Sequence, residues 1–480
     1  MIRRLVSALV LVGTILAGGS VKAQRPFPVN LIPKRSSLDR LGLERQWFGV
    51  VPLVETERLL RISIAGKTRA DDTAMLFAQT SYAMLHAFEA ETGRLLWSTQ
   101  LGELTGFARG VAANTFAVYV TNANTMFALD KNTGRLIWKT TLGTIPTSSP
   151  ACDEERAMVG LTNGKIYAFA LKRRDEKGNA TILTQAVEAW NWQAGGPMLT
   201  RPLPAEQVVA FGSSDGKGYV VMANEPTPLF RFSTGGRVGA GLAGYGTRAL
   251  LIPSADNNLY AVDMFTAIGL WTFPSGAPIE QEPIVADEDV YIANTAGNFS
   301  SLDPKTGLAR WTRSTQGGQT VSISATKIYL LSYNLDLFIV DRKSGRVLVD
   351  PGETMLRAGL NLRDYDLNIV NRFNDRLYFA TPSGMVVCIR ESGQVEPRPL
   401  KDPTARPFGY VPPEGINPTP PPLPADTKPD AAAEGAEEKP AADKDKDKPA
   451  DEEKPADEKV KDQDKAKEKK EPEAEKDEPK

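Results

Sequence analysis

The chain has 480 residues, a single histidine, His86, two cysteines, Cys152 and Cys388, and a formal net charge of −2. One histidine and two distant cysteines argue against zinc sites, haem attachment, Ser-His or Cys-His catalysis and a disulfide-stapled scaffold. The charge averages two unlike regions: residues 411–480 hold 14 Lys, no Arg and 22 Asp or Glu, a net of −8, which leaves +6 on the first 410 residues.

Arg3 and Arg4 form a basic flank, and Leu5 to Gly19 is an apolar stretch of 15 residues. Val21-Lys22-Ala23 then places small residues at −3 and −1 of a cut before Gln24, so residues 1–23 read as a secretory signal peptide. The stretch is shorter than the roughly 20 apolar residues of a spanning helix; an uncleaved anchor is the alternative. No cysteine follows the cut, so a lipid-anchored form is not expected. The mature protein is expected to be exported and soluble, periplasmic or secreted, without a transmembrane span. Residues 24–45 read as a linker.

The next 350 residues repeat. Ala87-Phe88-Glu89-Ala90-Glu91-Thr92-Gly93-Arg94-Leu95-Leu96-Trp97 is followed 41 residues on by Ala128-Leu129-Asp130-Lys131-Asn132-Thr133-Gly134-Arg135-Leu136-Ile137-Trp138. The pattern returns at Asp263 to Trp271, with Ala267 in the Gly position, at Asp303 to Trp311 around Gly307, and at Asp341 to Gly345. A period near 40 in strand-forming residues marks a propeller blade. In each unit an apolar strand ends at Asp, the Asp-x-x-Thr-Gly segment turns tightly, and the chain returns as a strand carrying Trp. Upstream Asn/Asp/Gly turns such as Asn163-Gly164 and Asp215-Gly216 suit the preceding hairpin.

Degenerate copies lie at Asn163–Trp192, Asp215–Phe232 and Ser383–Gly393. The third carries a polar insertion, Lys172 to Thr181; the fourth lacks Gly and Trp, with Phe230 or Phe232 as substitute; the seventh has Val349 in the Trp place. The eighth lacks its final strand. Gln46 to Val50, with its orphan Trp47, is expected to supply that strand and close the ring, which removes exposed sheet edges. The expected fold is thus all-β, an eight-bladed propeller of four-stranded antiparallel blades over residues 46–400; seven blades is the alternative.

Tyr410 is the last aromatic. Residues 401–424 read as a Pro-rich linker of extended character, and 425–480, a Lys/Glu/Asp/Ala/Pro mixture, as a disordered tail.

The repeat A-[LV]-D-x-x-[TS]-G-x-x-x-W resembles the pyrroloquinoline quinone (PQQ)-like propeller repeat, over roughly residues 46–395. Two branches of that family bear on function. The dehydrogenase branch implies a bound quinone, calcium, a catalytic Asp and often a disulfide between adjacent cysteines. This sequence has no adjacent cysteines and no Cys-x-x-Cys-His motif. The cofactor-free branch, the BamB-like outer-membrane assembly factors, fits better in length, export signal and blade number. It departs in the missing lipid-attachment cysteine and in the charged tail.

Trp97, Trp138, Trp271 and Trp311 are expected to pack between blades, with Asp130, Asp263, Asp303 and Asp341 and with Gly93, Gly134, Gly307 and Gly345 shaping the turns. Of Trp190 and Trp192 only one should face the core. His86 stands where other units carry Phe127, Tyr167, Tyr260 or Phe338, and is expected to replace an aromatic. Cys152 and Cys388 fall in non-adjacent blades, too far apart for a disulfide. Arg109, Arg201, Arg237 and Arg357 lie in the loops between blades and form a candidate partner-binding rim for an acidic partner or anionic ligand. Glu280 and Glu282 lie in another such loop, without a His or nucleophile beside them for acid–base work. No catalytic, cofactor-binding or metal residue is assigned, and PQQ and calcium are not expected. The expected role is a non-enzymatic scaffold for protein–protein interactions in the cell envelope, monomeric, with envelope proteins and not nucleic acid as partners. A PQQ-dependent oxidoreductase and a carbohydrate- or small-ligand-binding propeller are the alternatives.

Overall fold

The computed structural model describes residues 31–66, 74–104 and 107–411. The expected signal peptide, most of the expected Pro-rich linker and the whole of the expected tail lie outside these residues. Eight four-stranded antiparallel sheets follow one another along the chain. Blade 1 comprises Leu59–Ala65, Met75–Thr80, Met84–Glu89 and Leu95–Gln100; blade 2 runs from Ala112–Ala113 to Leu136–Thr141. Blades 3 to 7 end on the strands Ala180–Gln193, Pro228–Ser233, Gly269–Pro274, Ala309–Ser314 and Val347–Val349. Blade 8 takes Leu367–Asn368, Leu377–Ala380 and Met385–Glu391 from the end of the ring, and its outer strand is Leu43–Val50 from the beginning. Trp47 pairs with Cys388 and Val50 with Met385 in that antiparallel closure.

Burial follows strand position. The second strands are apolar runs covered on both faces, as in Ala117–Asn122, where every residue is buried. The outer strands alternate, as in Leu136–Thr141, because one face packs on the next blade and the other meets water. The polar insertion of blade 3 lengthens its outer hairpin: Lys165–Arg174 pairs with Ala180–Gln193.

One contact repeats between blades. The outer-strand Trp of one blade lies on the turn Gly of the next: Trp47 on Gly93, Trp97 on Gly134, Trp271 on Gly307 and Trp311 on Gly345. In each case a Cβ on the glycine would stand 2.5 Å from a ring carbon, and the glycines have φ between +67° and +73°. Glycine is therefore required twice, by the turn and by the ring above it. The indole Nε1 of Trp97 donates to Lys131 O at 2.8 Å, that of Trp271 to Pro304 O at 2.9 Å and that of Trp311 to Arg342 O at 3.1 Å. The Asp residues hold the turns: Asp130 accepts from the N–H groups of Asn132 and Thr133, and Asp263, Asp303 and Asp341 do likewise. Trp138 faces the lengthened hairpin of blade 3 and packs on Phe169.

Register explains the degenerate units. The residue opposite the Trp is always small: Ala87, Ala128, Ala168, Ala261, Ser301 and Cys388 face Trp97, Trp138, Trp190, Trp271, Trp311 and Trp47. Where the outer residue shrinks, its partner grows: Val220 faces Phe230, and Ile339 faces Val349. Phe230, not Phe232, thus holds the Trp place in blade 4. Ala267, in blade 5, holds the left-handed turn position at φ +63°, and the preceding blade supplies this smaller Phe in place of Trp. Trp190 is the core member of its pair, with Nε1 donating to Ala223 O at 2.7 Å, while Trp192 is half-buried.

His86 is buried in the third strand of blade 1, with Nδ1 2.7 Å from Ser98 Oγ; burial lowers its pKa despite the nearby Glu57. Cys152 and Cys388 are free. Both boundary expectations shift. The linker assigned to 24–45 contains the helix Arg35–Asp39, and the closing strand starts at Leu43. The linker assigned from 401 continues the fold to Val411, because residues 398–411 bond to the inner edges of several blades.

Candidate functional site

In each blade the outer strand ends on the face where the second and third strands turn. The chain then crosses inward to the next blade, so the inter-blade loops and these hairpins share one face around the channel. Arg109, Arg201, Arg237 and Arg357 all lie in such loops. Three of the four already have carboxylate partners. Arg237 pairs with Glu280, Arg201 lies 3.7 Å from Glu282, and Arg357, one residue past the helix Pro351–Leu356, pairs with Glu353 at 2.6 Å. The rim is thus not a set of four free cations. The Arg237–Glu280 pair borders a cavity of about 270 Å³, also lined by Leu199 and Ile279.

Deeper in the channel the positive charge is in excess. Glu282, 15 % exposed, receives Arg201 and, at 3.1 Å, Arg372 from blade 8. The Nε of Arg372 is buried and has no hydrogen-bond partner among the described residues. Lys401 enters from the other side, with Nζ donating to Gly244 O at 3.4 Å. Arg61, on the innermost strand of blade 1, and Arg109 have no carboxylate within ion-pair distance among the described residues. The pKa values of Arg61 and Arg372 are lowered by burial and then by a neighbouring cation, Arg109 for the one and Arg201 for the other; Glu282 opposes the shift at Arg372. Burial also lowers Lys401, again opposed by Glu282. Sequence reasoning missed Arg61, Arg372 and Lys401. A charge inside the apolar run Leu59-Leu60-Arg61-Ile62 was the one signal available.

The opposite mouth carries a strap. Arg398 N–H and O bond to Asp375 of blade 8, and the N–H of Asp287 in blade 6 donates to Leu400 O at 2.8 Å. Phe408 seats on Gly244 of blade 5, where a Cβ would stand 2.2 Å from its ring, and Gly409 N–H donates to Thr247 O at 3.0 Å. Val411 N–H reaches Glu206 of blade 4 at 3.4 Å. Residues 398–411 thus run along this mouth from blade 8 past blades 6 and 5 to blade 4.

The loop face also exposes large apolar side chains. Leu356 is 86 % exposed, Phe107 81 %, Tyr333 74 %, Leu104 69 % and Ile145 58 %. Their loops and hairpins occupy the arc from blade 7 through blade 8 to blade 3, whereas Arg201, Arg237, Glu280 and Glu282 occupy the arc from blade 3 to blade 6. Among the described residues no three His, Cys, Asp or Glu side chains converge to hold a metal ion, and no helix is long and apolar enough to cross a membrane.

A closed eight-bladed ring with Trp-on-Gly contacts between blades defines a β-propeller of PQQ-like repeats. More particularly, residues 55–216 and 216–409 match the family described as outer membrane protein assembly factor BamB, and the chain belongs to that family. It is 23 % identical over 206 residues to the outer membrane protein assembly factor BamB of Shewanella oneidensis, covering 40 % of this chain and 52 % of that protein. It is 23 % identical over 295 residues to the BamB of Yersinia pestis, covering 59 % of this chain and 65 % of that protein. The chain thus spans between about half and two thirds of these curated relatives. The crystal structure of BamB from Moraxella catarrhalis superposes with a TM-score of 0.55 at 15 % identity, covering 72 % of this chain and 98 % of that one. The computationally designed Ika8 protein gives a TM-score of 0.53 at 14 % identity over 69 % of this chain and 96 % of its own. Both are likenesses of fold.

Proposed function

We propose that this protein is an exported, non-enzymatic scaffold that brings proteins together in the cell envelope, in the manner of an outer-membrane assembly factor. It works as a monomer, takes protein and not nucleic acid as partner, and needs neither quinone nor calcium. The supporting observation is the apolar arc of the loop face. Five large apolar side chains stand exposed on neighbouring loops of one face, the arrangement of a surface that is covered by a partner. Family membership points the same way, since the relatives are named as assembly factors.

The test is cross-linked capture from envelope extract with the mature chain, with and without residues 411–480. Ile145→Asp and Leu356→Asp should abolish capture of a specific partner, whereas Leu308→Asp, on the opposite face and 70 % exposed, should not. Capture that survives both loop-face changes refutes this face as the docking surface. Dye reduction with alcohols or sugars after addition of quinone and calcium would refute the non-enzymatic reading.

A further inference from the structure

We propose that the channel is a well for an acidic, extended peptide segment of the docking partner, entered from the loop face. The inference deepens the scaffold reading and rests on it. Five cations, Arg61, Arg109, Arg201, Arg372 and Lys401, are set along the channel, and among the described residues the carboxylate that Arg201 and Arg372 pair with is Glu282. The strap from Arg398 to Val411 lines part of the other mouth and brings Lys401 with it. The cations form two groups: Arg201, Arg372 and Lys401 about Glu282, and Arg61 beside Arg109. A small anion would satisfy one group. A chain carrying successive carboxylates would satisfy both, and would supply the buried Nε of Arg372 with an acceptor, which it lacks among the described residues. Like charges enclosed in one channel repel, and the low-dielectric walls focus their field on an incoming anion. The apolar arc beside the mouth would hold the body of the partner while its acidic segment enters.

The test uses the full chain and a fluorescently labelled hexaglutamate peptide, followed by anisotropy at low and high salt. Wild-type protein should bind, with affinity falling as salt rises. Arg61→Gln and Arg372→Gln should each weaken binding about tenfold. Arg61→Lys should retain most of it, and Arg94→Gln, in an outer turn and paired with Glu89, should leave it unchanged. Circular dichroism and melting confirm that each variant is folded; if Arg372→Gln is not, Arg61, on the inner strand of blade 1, carries the test. Absence of binding at low salt, or equal binding by a folded Arg61→Gln/Arg372→Gln variant, overturns the proposal. So does displacement by inorganic phosphate at the concentration at which unlabelled peptide displaces, which would mean a simple anion site. Lost peptide binding with partner capture intact refutes the well alone; lost capture with peptide binding intact refutes the scaffold reading alone.

Discussion

Replacing Gly345 by Ala tests the contact that joins the blades. The added Cβ would stand 2.5, 2.7 and 2.8 Å from Cδ2, Cε3 and Cγ of Trp311, and no other side chain is as near. Carbon atoms settle at about 3.5 Å or more, so the ring must retreat by about 1 Å. That retreat breaks the Nε1 bond to Arg342 O, now 3.1 Å, at about 1 kcal/mol, and overpacks a ring that is 8 % exposed, at about 1–2 kcal/mol. The positive φ of +67° adds about 1 kcal/mol for a residue with a side chain. The expected cost is about 3–4 kcal/mol in equilibrium urea unfolding. In a Trp311→Phe background the ring terms vanish, and Gly345→Ala should cost only about 1 kcal/mol, a coupling of about 2–3 kcal/mol. Blade 5 already carries Ala267 at this turn position, after a blade whose Trp place is held by Phe230. Equal costs in the two backgrounds would refute the steric link and leave turn strain alone to explain the glycine.

Three further outcomes are expected. Cys388→Ala should change stability by less than about 1.5 kcal/mol, whereas Cys388→Val should lose about 1–3 kcal/mol against Trp47, both read by urea unfolding. Arg376 is fully buried, 3.2 Å from Glu91 and 3.1 Å from Asp375; Arg376→Met strands both carboxylates and should cost about 3–5 kcal/mol, and an unaltered midpoint would disprove its bracing role between blades 8 and 1. The carboxyl of Asp341 is held below the usual range by the hydroxyl and N–H of Ser344. At Asp303 and Asp263 burial opposes the shift, but turn N–H groups and Arg310 or Arg248 outweigh it. Folded pKa values below the unfolded ones add stability above about pH 4, and this is lost as pH falls through the folded values. The melting midpoint should therefore drop on acidification below about pH 4, and less steeply in Asp341→Asn; parallel curves would contradict the assignment.

The ring is legible in the residues alone. A blade is a local unit, and its Asp turn, Trp strand and hairpins are written within about 40 consecutive residues, so eight units and the orphan strand around Trp47 could be read without a structure. The sequence also carried the size rule unseen: the Ala of the repeat is small because Trp stands opposite it, and the glycine is bare because the neighbouring Trp lies on it. Those reasons needed register and blade contact. The channel took shape only through long-range contacts. Arg61, Arg201, Arg372 and Lys401 are more than 300 residues apart at the extremes, share no repeat position, and meet because the ring closes and the strap runs along its mouth. The tertiary structure likewise paired Arg237 and Arg201, since Glu280 and Glu282 come from a loop whose proximity to them no local pattern encodes, whereas Arg357 and Glu353 are four residues apart at one short helix. Short-range turn chemistry and strand periodicity fix blades; long-range closure alone fixes which charges face one another.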